Sequence, residues 1–221
     1  MNRKKIIAII PALNEEKTIK EVLSNVKKYV DEIIVVDDNS TDNTAAIAQE
    51  YATVLRNKKN LGYSKSVNKA FRFAEKRGFD IIVTLDADGQ HLAEDIPKLV
   101  LPILKKEADI VVGKRPFKAR FMEYVFAKYG RKKGVSDPLC GMKAYSYKVY
   151  KKVGFFDTIN SVGTQLVFVA LKRKFKIKEI NIKLKKRKDI PRFGRTIKAN
   201  IKLFLAYIRL IKYLKRWELW K

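Results

Sequence analysis

Short apolar runs alternate with longer segments of helical period through the first half of this 221-residue chain. This alternation predicts an α/β fold, with a mostly parallel sheet and helices on both faces, as in Rossmann-like proteins. Ser40 or Thr41 is the expected N-cap of the second helix. The predicted strands are 6–10, 32–36, 53–55, 81–85 and 110–112, and the predicted helices are 15–29, 41–51, 63–77 and 94–105.

The second half of the chain lacks this regular alternation. A basic and aromatic stretch covers 115–133, a mixed region covers 141–153, and a helical pattern returns at 166–172. A lysine-rich segment with a proline and a glycine predicts a mobile loop over 183–196 that closes over the site. Function-specific architecture is therefore expected beyond the regular half.

Composition narrows the class of protein. Basic side chains outnumber acidic ones by 49 to 23, which gives a net charge of +26, and hydrophobic residues make up 47% of the chain. That hydrophobic fraction supports a packed core, so the chain is not a disordered polycation. A single cysteine and a single histidine exclude a disulfide scaffold and a zinc finger. Residues 1–110 carry a net charge of +1 and residues 111–221 carry +25, so we expect the second half to contact an anionic partner.

The amino terminus resembles a secretory signal only superficially. Basic residues precede an apolar run at 6–13, but that run is short and two glutamates follow closely. We therefore expect a buried first strand and no signal peptide. No stretch approaches the roughly 20 apolar residues of a membrane-spanning helix, so a protein that is soluble or lies on a membrane surface is expected.

Polar and acidic residues cluster where three of the predicted strands end, at 11–15, 37–40 and 86–91. The carboxyl ends of parallel strands form the ligand crevice of an open α/β sheet. Carboxylates that share one crevice repel each other unless a cation lies among them. The three clusters therefore predict a ligand site that includes a cation.

The third cluster carries the candidate metal ligands. Asp86 and Asp88 can present oxygen atoms to one hard cation, and Gln90 adds a neutral oxygen. Such a set suits Mg²⁺ or Mn²⁺, which keep positions open for phosphate oxygens. The alternative for each cluster is a simple turn, since Asp, Asn and Gly are turn formers. The chain has no dinucleotide-binding or P-loop glycine motif.

Four motifs occur in order along the chain: Ile-Pro-Ala-Leu-Asn-Glu-Glu at 10–16, Val-Val-Asp-Asp-Asn-Ser-Thr-Asp at 35–42, Asn-Leu-Gly at 60–62 and Asp-Ala-Asp-Gly-Gln-His at 86–91. Together they resemble glycosyltransferase family two, with weaker matches at 113–115, 137–143 and 191–196. Within that family they look most like dolichyl-phosphate mannose or glucose synthases and related polyprenyl-phosphate glycosyltransferases. The resemblance implies the A-type glycosyltransferase fold and a metal-dependent, inverting transfer of a hexose from a GDP-mannose or UDP-glucose type donor to polyprenyl or dolichyl phosphate.

The resemblance also implies site residues and domains. Pro11, Leu13, Asn14, Glu15, Asp38 and Asp86 would bind the nucleotide, with Asp38 reaching the base. Asp86, Asp88 and Gln90 would bind the metal, Arg115, Arg131 and Arg192 the acceptor phosphate, and Asp86, Asp88, Arg115 and Asp137 would be catalytic. A catalytic domain over 1–196, with a nucleotide-sugar part at 1–113 and an acceptor part at 114–196, would precede a helix at 197–221.

The basic half suits a phosphate acceptor. A phosphate monoester with a second pKa of about 6 is largely ionised at neutral pH and needs no base to attack. Arginine can hold it through two parallel hydrogen bonds, although a solvated charged face is the alternative for each cation. Asp137 is either a base or a structural partner of a neighbouring cation. Cys140 is expected to be buried, and His91 either approaches the diphosphate or packs in the turn.

Residues 197–221 predict a basic amphipathic helix. Its apolar face can enter the headgroup region of an anionic membrane, which would place the protein peripherally at the cytoplasmic face, or it can pack on its own domain or a second copy. The apolar face carries Leu203, Tyr207, Leu210, Ile211, Leu214 and Trp217, and the basic face carries Lys198, Lys202, Arg209, Lys212 and Arg216.

Three other functions compete with lipid glycosylation. A nucleic-acid binder would explain the basic half but not the acidic crevice, so no nucleic-acid partner is expected. A family member that only docks at membranes is the second. A glycosyltransferase that uses a soluble sugar or protein acceptor is the third.

Overall fold

The computed structural model of the chain describes residues 3–185 and 197–218, and for Trp217 and Glu218 it describes the backbone alone. Seven strands form one sheet in the order β3-β2-β1-β4-β6-β5-β7, in which only β6 runs antiparallel to its neighbours. The strands are β1 Ile6–Ala12, β2 Glu32–Asp37, β3 Thr53–Arg56, β4 Ile81–Thr84, β5 Ile110–Lys114, β6 Lys143–Ser146 and β7 Ile177–Asn181. The helices are α1 Ile19–Val26, α2 Thr44–Gln49, α3 Tyr63–Arg77, α4 Ile96–Leu104, α5 Phe121–Arg131, α6 Tyr147–Val153, α7 Thr164–Lys172 and α8 Ile197–Glu218.

The alternation predicted in the first half is confirmed. All five predicted strands and all four predicted helices are present, although α1, α2 and α4 are shorter than the pattern indicates. The helix α2 begins at Thr44, beyond the predicted cap, because the Asp42 carboxylate accepts from the amide and hydroxyl of Thr44 instead. Strands β6 and β7 were not predicted.

Two apolar layers cover the two faces of the sheet. Buried side chains of α1, α2 and α4 pack on one face, and those of α3, α6 and α7 pack on the other. The predicted arrangement of helices on both faces is therefore confirmed. The strands between these layers are almost continuously apolar, as expected for strands that are buried on both sides.

A third apolar cluster joins α8 to α5 and α7. Leu203, Leu210 and Leu214 of α8 are buried against Met122 and Phe126 of α5 and against side chains of α7. For these leucines the structure shows the packing alternative, because the helix buries them on its own domain. The sequence shows that a helix has an apolar face but not what covers it. The division of the chain at residue 196 stays a prediction.

The sheet brings the polar clusters together at the carboxyl ends of its parallel strands. Strands β1, β2 and β4 are parallel, so the residues that follow them emerge at the same side of the sheet. Strand β5 also ends on this side of the sheet, and the antiparallel strand β6 begins there, since Val112 pairs with Lys143. Residues 11–15, 37–40, 86–91, 113–115 and 137–143 therefore converge on one crevice.

Candidate active site

Side-chain hydrogen bonds join the loops that follow β1 and β2. The Ser40 hydroxyl accepts from the Asn14 amide at 2.8 Å, and the Asn14 side-chain carbonyl accepts from the Thr41 amide at 2.8 Å. The Glu15 amide donates to the Thr44 hydroxyl at 2.7 Å. The first loop is therefore fixed against the second. In this loop Asn14 is exposed, Pro11 and Leu13 are half-buried and Glu15 is buried.

Asp38 shapes the neighbouring loop. Its two carboxylate oxygens accept from the amides of Leu61 and Gly62, each at 2.8 Å, and Oδ1 also accepts from the side-chain amide of Asn57. Gly62 has a φ of 83°, a conformation that glycine adopts without strain. Asp38 therefore holds the Asn-Leu-Gly motif at the crevice, and its contact with a base stays a prediction.

The turn after β4 presents the predicted metal ligands at the crevice. Asp88 Oδ1 accepts from the Gln90 amide at 3.1 Å, and His91 Nδ1 accepts from the Asp86 amide at 3.2 Å. The His91 side chain is 4% exposed, whereas that of Asp86 is 36% exposed. His91 therefore holds the turn, which is the packing alternative, while Asp86 faces the crevice.

The loop before β6 packs directly on Asp86. A Cβ atom added to Gly141 would lie 2.6 Å and 2.8 Å from the two carboxylate oxygens of Asp86, and the Thr84 hydroxyl donates to the Gly141 carbonyl at 2.8 Å. Only glycine leaves room for this approach. The weakly matching segment 137–143 therefore packs against the Asp-Ala-Asp-Gly-Gln-His motif at 86–91.

The turn fits a divalent cation that arrives with its ligand. No group of three or more His, Cys, Asp or Glu side chains in residues 3–185 and 197–218 is arranged to hold a metal ion. Asp86, Asp88 and Gln90 are half-exposed, and each can offer a side-chain oxygen atom to a cation. Mg²⁺ and Mn²⁺ prefer oxygen ligands and keep positions for substrate phosphates and water. The donor set therefore matches a metal whose shell a diphosphate completes.

Arg115, directly after β5, lies in a buried ion-pair cluster. Its Nε and NH2 atoms donate to Oδ2 and Oδ1 of Asp137 at 2.8 Å and 2.9 Å, and Glu123 Oε2 lies 3.4 Å from NH2. Burial alone would raise the pKa of Asp137, but the hydrogen bonds and charge of Arg115 outweigh burial and hold that pKa below its ordinary value. This geometry favours the structural role of Asp137 over that of a base.

The structure brings one of the three predicted acceptor arginines to the crevice. Arg131 is exposed at the opposite end of α5, roughly 12 Å along the helix axis from Glu123. Arg192 lies outside the described residues. Arg120 lies beside Arg115 instead, since its NH1 atom donates to Glu123 Oε1 at 2.6 Å. Helical period alone does not show which end of a helix faces a site.

Sequence analysis did not single out Glu123, Gly141 or the buried Lys143. The Lys143 ammonium donates to the carbonyls of Cys140 and Val162, the latter at 2.9 Å, and so joins the 137–143 loop to the segment before α7. Burial lowers the pKa of Lys143 to about 8 and raises that of the Cys140 thiol to about 12. Cys140 is buried, as predicted.

Seven exposed apolar side chains, named the apolar patch, lie in the first halves of α5 and α8 or just before α5. The two helices are joined by a hydrogen bond from the Met122 amide to Asn200 Oδ1 at 3.1 Å. No helix within residues 3–185 and 197–218 is long and apolar enough to cross a bilayer. The apolar patch consists of Phe117, Phe121, Tyr124, Ile197, Ile201, Phe204 and Leu205, of which Phe121 is 72% and Ile197 81% exposed.

Comparisons with known proteins agree with this geometry. A solved structure of glucosyl-3-phosphoglycerate synthase from Mycobacterium tuberculosis, with Mn²⁺, UDP-glucose and phosphoglyceric acid, superimposes with a TM-score of 0.75 at 22% identity, over 94% of this chain and 80% of that one. This likeness shows the fold, which is the A-type glycosyltransferase fold.

Sequence relatives extend the comparison. The UDP-N-acetylglucosamine--dolichyl-phosphate N-acetylglucosaminyltransferase of Methanococcus voltae is 31% identical, over 83% of this chain and 86% of that protein. The dolichol-phosphate mannosyltransferase of Pyrococcus furiosus is 30% identical, over 97% of this chain and 64% of that protein. The family model described as glycosyl transferase family 2 matches residues 7–163. The chain therefore belongs to glycosyltransferase family 2 and is a glycosyltransferase.

Proposed function

We propose that this protein is an inverting hexosyltransferase that uses a nucleotide-diphosphate sugar and a divalent metal to glycosylate a polyprenyl or dolichyl phosphate at a membrane surface. The observation that carries this proposal is that a pair of carboxylates and a guanidinium lie in one crevice. The carboxylate turn at Asp86 and Asp88 lies against the 137–143 loop, and Asp137 of the same loop holds Arg115.

The carboxylate turn suits the donor. A bound Mg²⁺ or Mn²⁺ would neutralise the charge that develops on the leaving diphosphate. Asp86, Asp88 and Gln90 would hold that ion, and residues 11–15 together with Asp38 would line the nucleotide pocket. Structures of glucosyl-3-phosphoglycerate synthase that were solved with Mn²⁺ and UDP-glucose support a nucleotide-diphosphate sugar donor.

The arginine side of the crevice suits an anionic nucleophile. In the proposed step a phosphate oxygen forms a bond to the anomeric carbon, the bond from that carbon to the diphosphate oxygen breaks, and the nucleoside diphosphate leaves with the electron pair. No proton moves, because the phosphate is already ionised. Asp137 is occupied by Arg115, which fits a reaction without a base. The names of two sequence relatives support a lipid-phosphate acceptor.

A soluble phosphorylated acceptor is the second candidate. The structural relative was solved with phosphoglyceric acid, a soluble molecule that carries phosphate and carboxylate groups. The same arginine would contact its phosphate, so the crevice alone does not favour one acceptor. The apolar patch favours the lipid, since a soluble acceptor gives no reason to expose so many large apolar side chains beside the crevice.

The apolar patch replaces the buried face of α8 as the proposed membrane contact. Phe121 and Ile201 are exposed, whereas Met122 and Leu203 on the same two helices pack inside the domain, so the patch lies on the outer side of both helices. Exposed Lys198 and Lys202 lie on α8 beside it. An apolar surface flanked by lysines suits the headgroup region of an anionic membrane.

A screen of nucleotide sugars tests the proposed function. GDP-mannose, UDP-glucose and UDP-N-acetylglucosamine, each labelled in the sugar, are mixed with a polyprenyl phosphate and either Mg²⁺, Mn²⁺ or a chelator. We expect label in the organic phase with one donor, and only when a metal is present. Label that appears solely with phosphoglyceric acid or a free sugar as acceptor would reject the lipid acceptor.

A further inference from the structure

Glu123 is a buried carboxylate with three hydrogen-bond or ion-pair partners. Its side chain is 2% exposed, and it is the third residue of α5. Oε1 accepts from Arg120 NH1 at 2.6 Å, Oε2 accepts from the Ala119 amide at 3.0 Å, and Arg115 NH2 lies 3.4 Å from Oε2. Burying a charge is costly unless opposite charges and hydrogen bonds compensate it. Two arginines supply that compensation here.

Two carboxylates from different elements fix the guanidinium of Arg115. Asp137 takes Nε and one hydrogen of NH2 in a bidentate pair, and Glu123 approaches the same NH2 from α5. The NH1 atom has no acceptor within residues 3–185 and 197–218. A planar guanidinium held on one edge presents its other edge in a fixed direction. We propose that Glu123 is a positioning residue, which orients Arg115 and Arg120 together so that they grip the acceptor's phosphate.

The charge of the cluster supports a binding role beyond helix capping. The bond from the Ala119 amide is the kind by which a glutamate in the first turn caps a helix. A neutral glutamine would serve that purpose as well. The carboxylate of Glu123, however, also pairs with a second arginine, Arg120. The charges of Glu123 and Asp137 offset the mutual repulsion of Arg115 and Arg120, so the two guanidinium groups can lie close together.

Glu123 also links the arginines to the apolar patch. On α5, Phe121 lies two residues before it and Tyr124 directly follows it, and their side chains are 72% and 55% exposed. The helix that would touch the membrane therefore carries the carboxylate that orients the phosphate-binding arginine. An acceptor whose phosphate lies at the membrane surface would meet both features at once. This inference rests on the proposed function for the identity of the acceptor.

The test compares Glu123→Gln with Glu75→Gln, a matched change at an exposed glutamate of α3. Initial rates are measured with farnesyl phosphate and, separately, with phosphoglyceric acid. We expect Glu123→Gln to raise the KM for the active phosphate acceptor about tenfold, the effect of one lost charge-assisted contact, and to leave the donor KM unchanged. Glu75→Gln should change neither. In an Arg115→Lys background, Glu123→Gln should raise the acceptor KM by less than about twofold, because the two residues act together.

Several outcomes would contradict the positioning role of Glu123. A folded Glu123→Gln variant with an unchanged acceptor KM, or with equal losses for donor and acceptor, would overturn the inference. Glu123→Asp keeps the buried charge and should raise the acceptor KM by less than Glu123→Gln does; failure of both variants to fold would make Glu123 a purely structural residue. If the wild type uses only phosphoglyceric acid, the lipid proposal fails while the positioning role is still measured on that acceptor. If the wild type is active with neither phosphate acceptor, both the lipid proposal and the positioning role fail.

Discussion

The proposed donor and acceptor sides of the crevice differ in what holds their candidate site carboxylates. On the donor side, at the ends of β1, β2 and β4, Asp38 and Asp88 accept hydrogen bonds from backbone amides. On the acceptor side, beyond β5, Asp137 and Glu123 are paired with arginines. Backbone amides fix the direction of a carboxylate, whereas a bidentate ion pair fixes the direction of a guanidinium. The donor side therefore presents carboxylate oxygens to the crevice, and the acceptor side presents a guanidinium.

The same contrast explains how much of the molecule could be predicted. On the donor side, strands and helices alternate regularly along the chain. The apolar pattern alone was therefore enough to locate β1, β2 and β4 and the polar clusters at their ends. Strand β6 begins with a buried lysine, Lys143, and the edge strand β7 contains charged residues, so neither shows an apolar run. Their places depend on partners that are distant in the chain.

The acceptor side also shows why residue type alone was insufficient. The basic stretch offers several arginines, and the sequence does not show that Arg120 rather than Arg131 lies beside Arg115. Glu123 is one acidic residue among many cations. Its contact with Arg115 depends on the fold, which brings the end of β5 next to the start of α5. The buried face of α8 was correctly identified as apolar, but its partner on α5 and α7 was not.

The largest expected effect is on the donor side. Asp88→Asn should lower the transfer rate by about a thousandfold, because a metal ion contributes several kcal/mol to stabilising the leaving group. Titration calorimetry with Mn²⁺ and the nucleotide sugar should show that metal-dependent donor binding is lost. Glu50→Gln, a matched change at an exposed glutamate, should have no effect. Undiminished metal-dependent binding in Asp88→Asn would remove this distinction between the two sides.

The next effect separates the two arginines on the acceptor side. Arg115→Met should lower the free energy of unfolding by about 3–5 kcal/mol, because Asp137 and Glu123 would remain buried without their partner. Arg131→Met, at an exposed position, should change it by less than about 0.5 kcal/mol. Urea denaturation measures both. Equal losses in the two variants would contradict the placement of Arg115.

Lys143 gives a pH-dependent test at the junction of the two sides. Burial lowers its pKa to about 8, so between that value and its ordinary pKa near 10.4 the unfolded chain binds a proton that the folded chain does not. The stability of the wild type relative to Lys143→Met should therefore rise with pH by up to about 1.4 kcal/mol per unit in this window. Urea denaturation of both proteins from pH 7 to 10.5 measures this difference. A flat or falling difference would mean that Lys143 is not buried as described.

The smallest effect on stability is expected in the apolar patch. Phe121→Ser and Leu101→Ser both replace an exposed apolar side chain, the first in the patch and the second on α4. Each should change the free energy of unfolding by less than about 0.5 kcal/mol. Sedimentation with vesicles of phosphatidylcholine and phosphatidylglycerol should show weaker binding for Phe121→Ser alone. Equal binding by both variants would reject the patch as the membrane contact.

The most direct test of the whole account follows the sugar itself. Wild-type protein is incubated with a labelled nucleotide sugar, a polyprenyl phosphate and Mn²⁺, and the product is divided between an organic and an aqueous phase. We predict labelled lipid that disappears when the metal is chelated and when Asp88 is replaced by alanine. Labelled lipid of equal amount without metal, or in the Asp88→Ala variant, would contradict the claim that this crevice binds a metal-bound sugar diphosphate and transfers its sugar to a lipid phosphate.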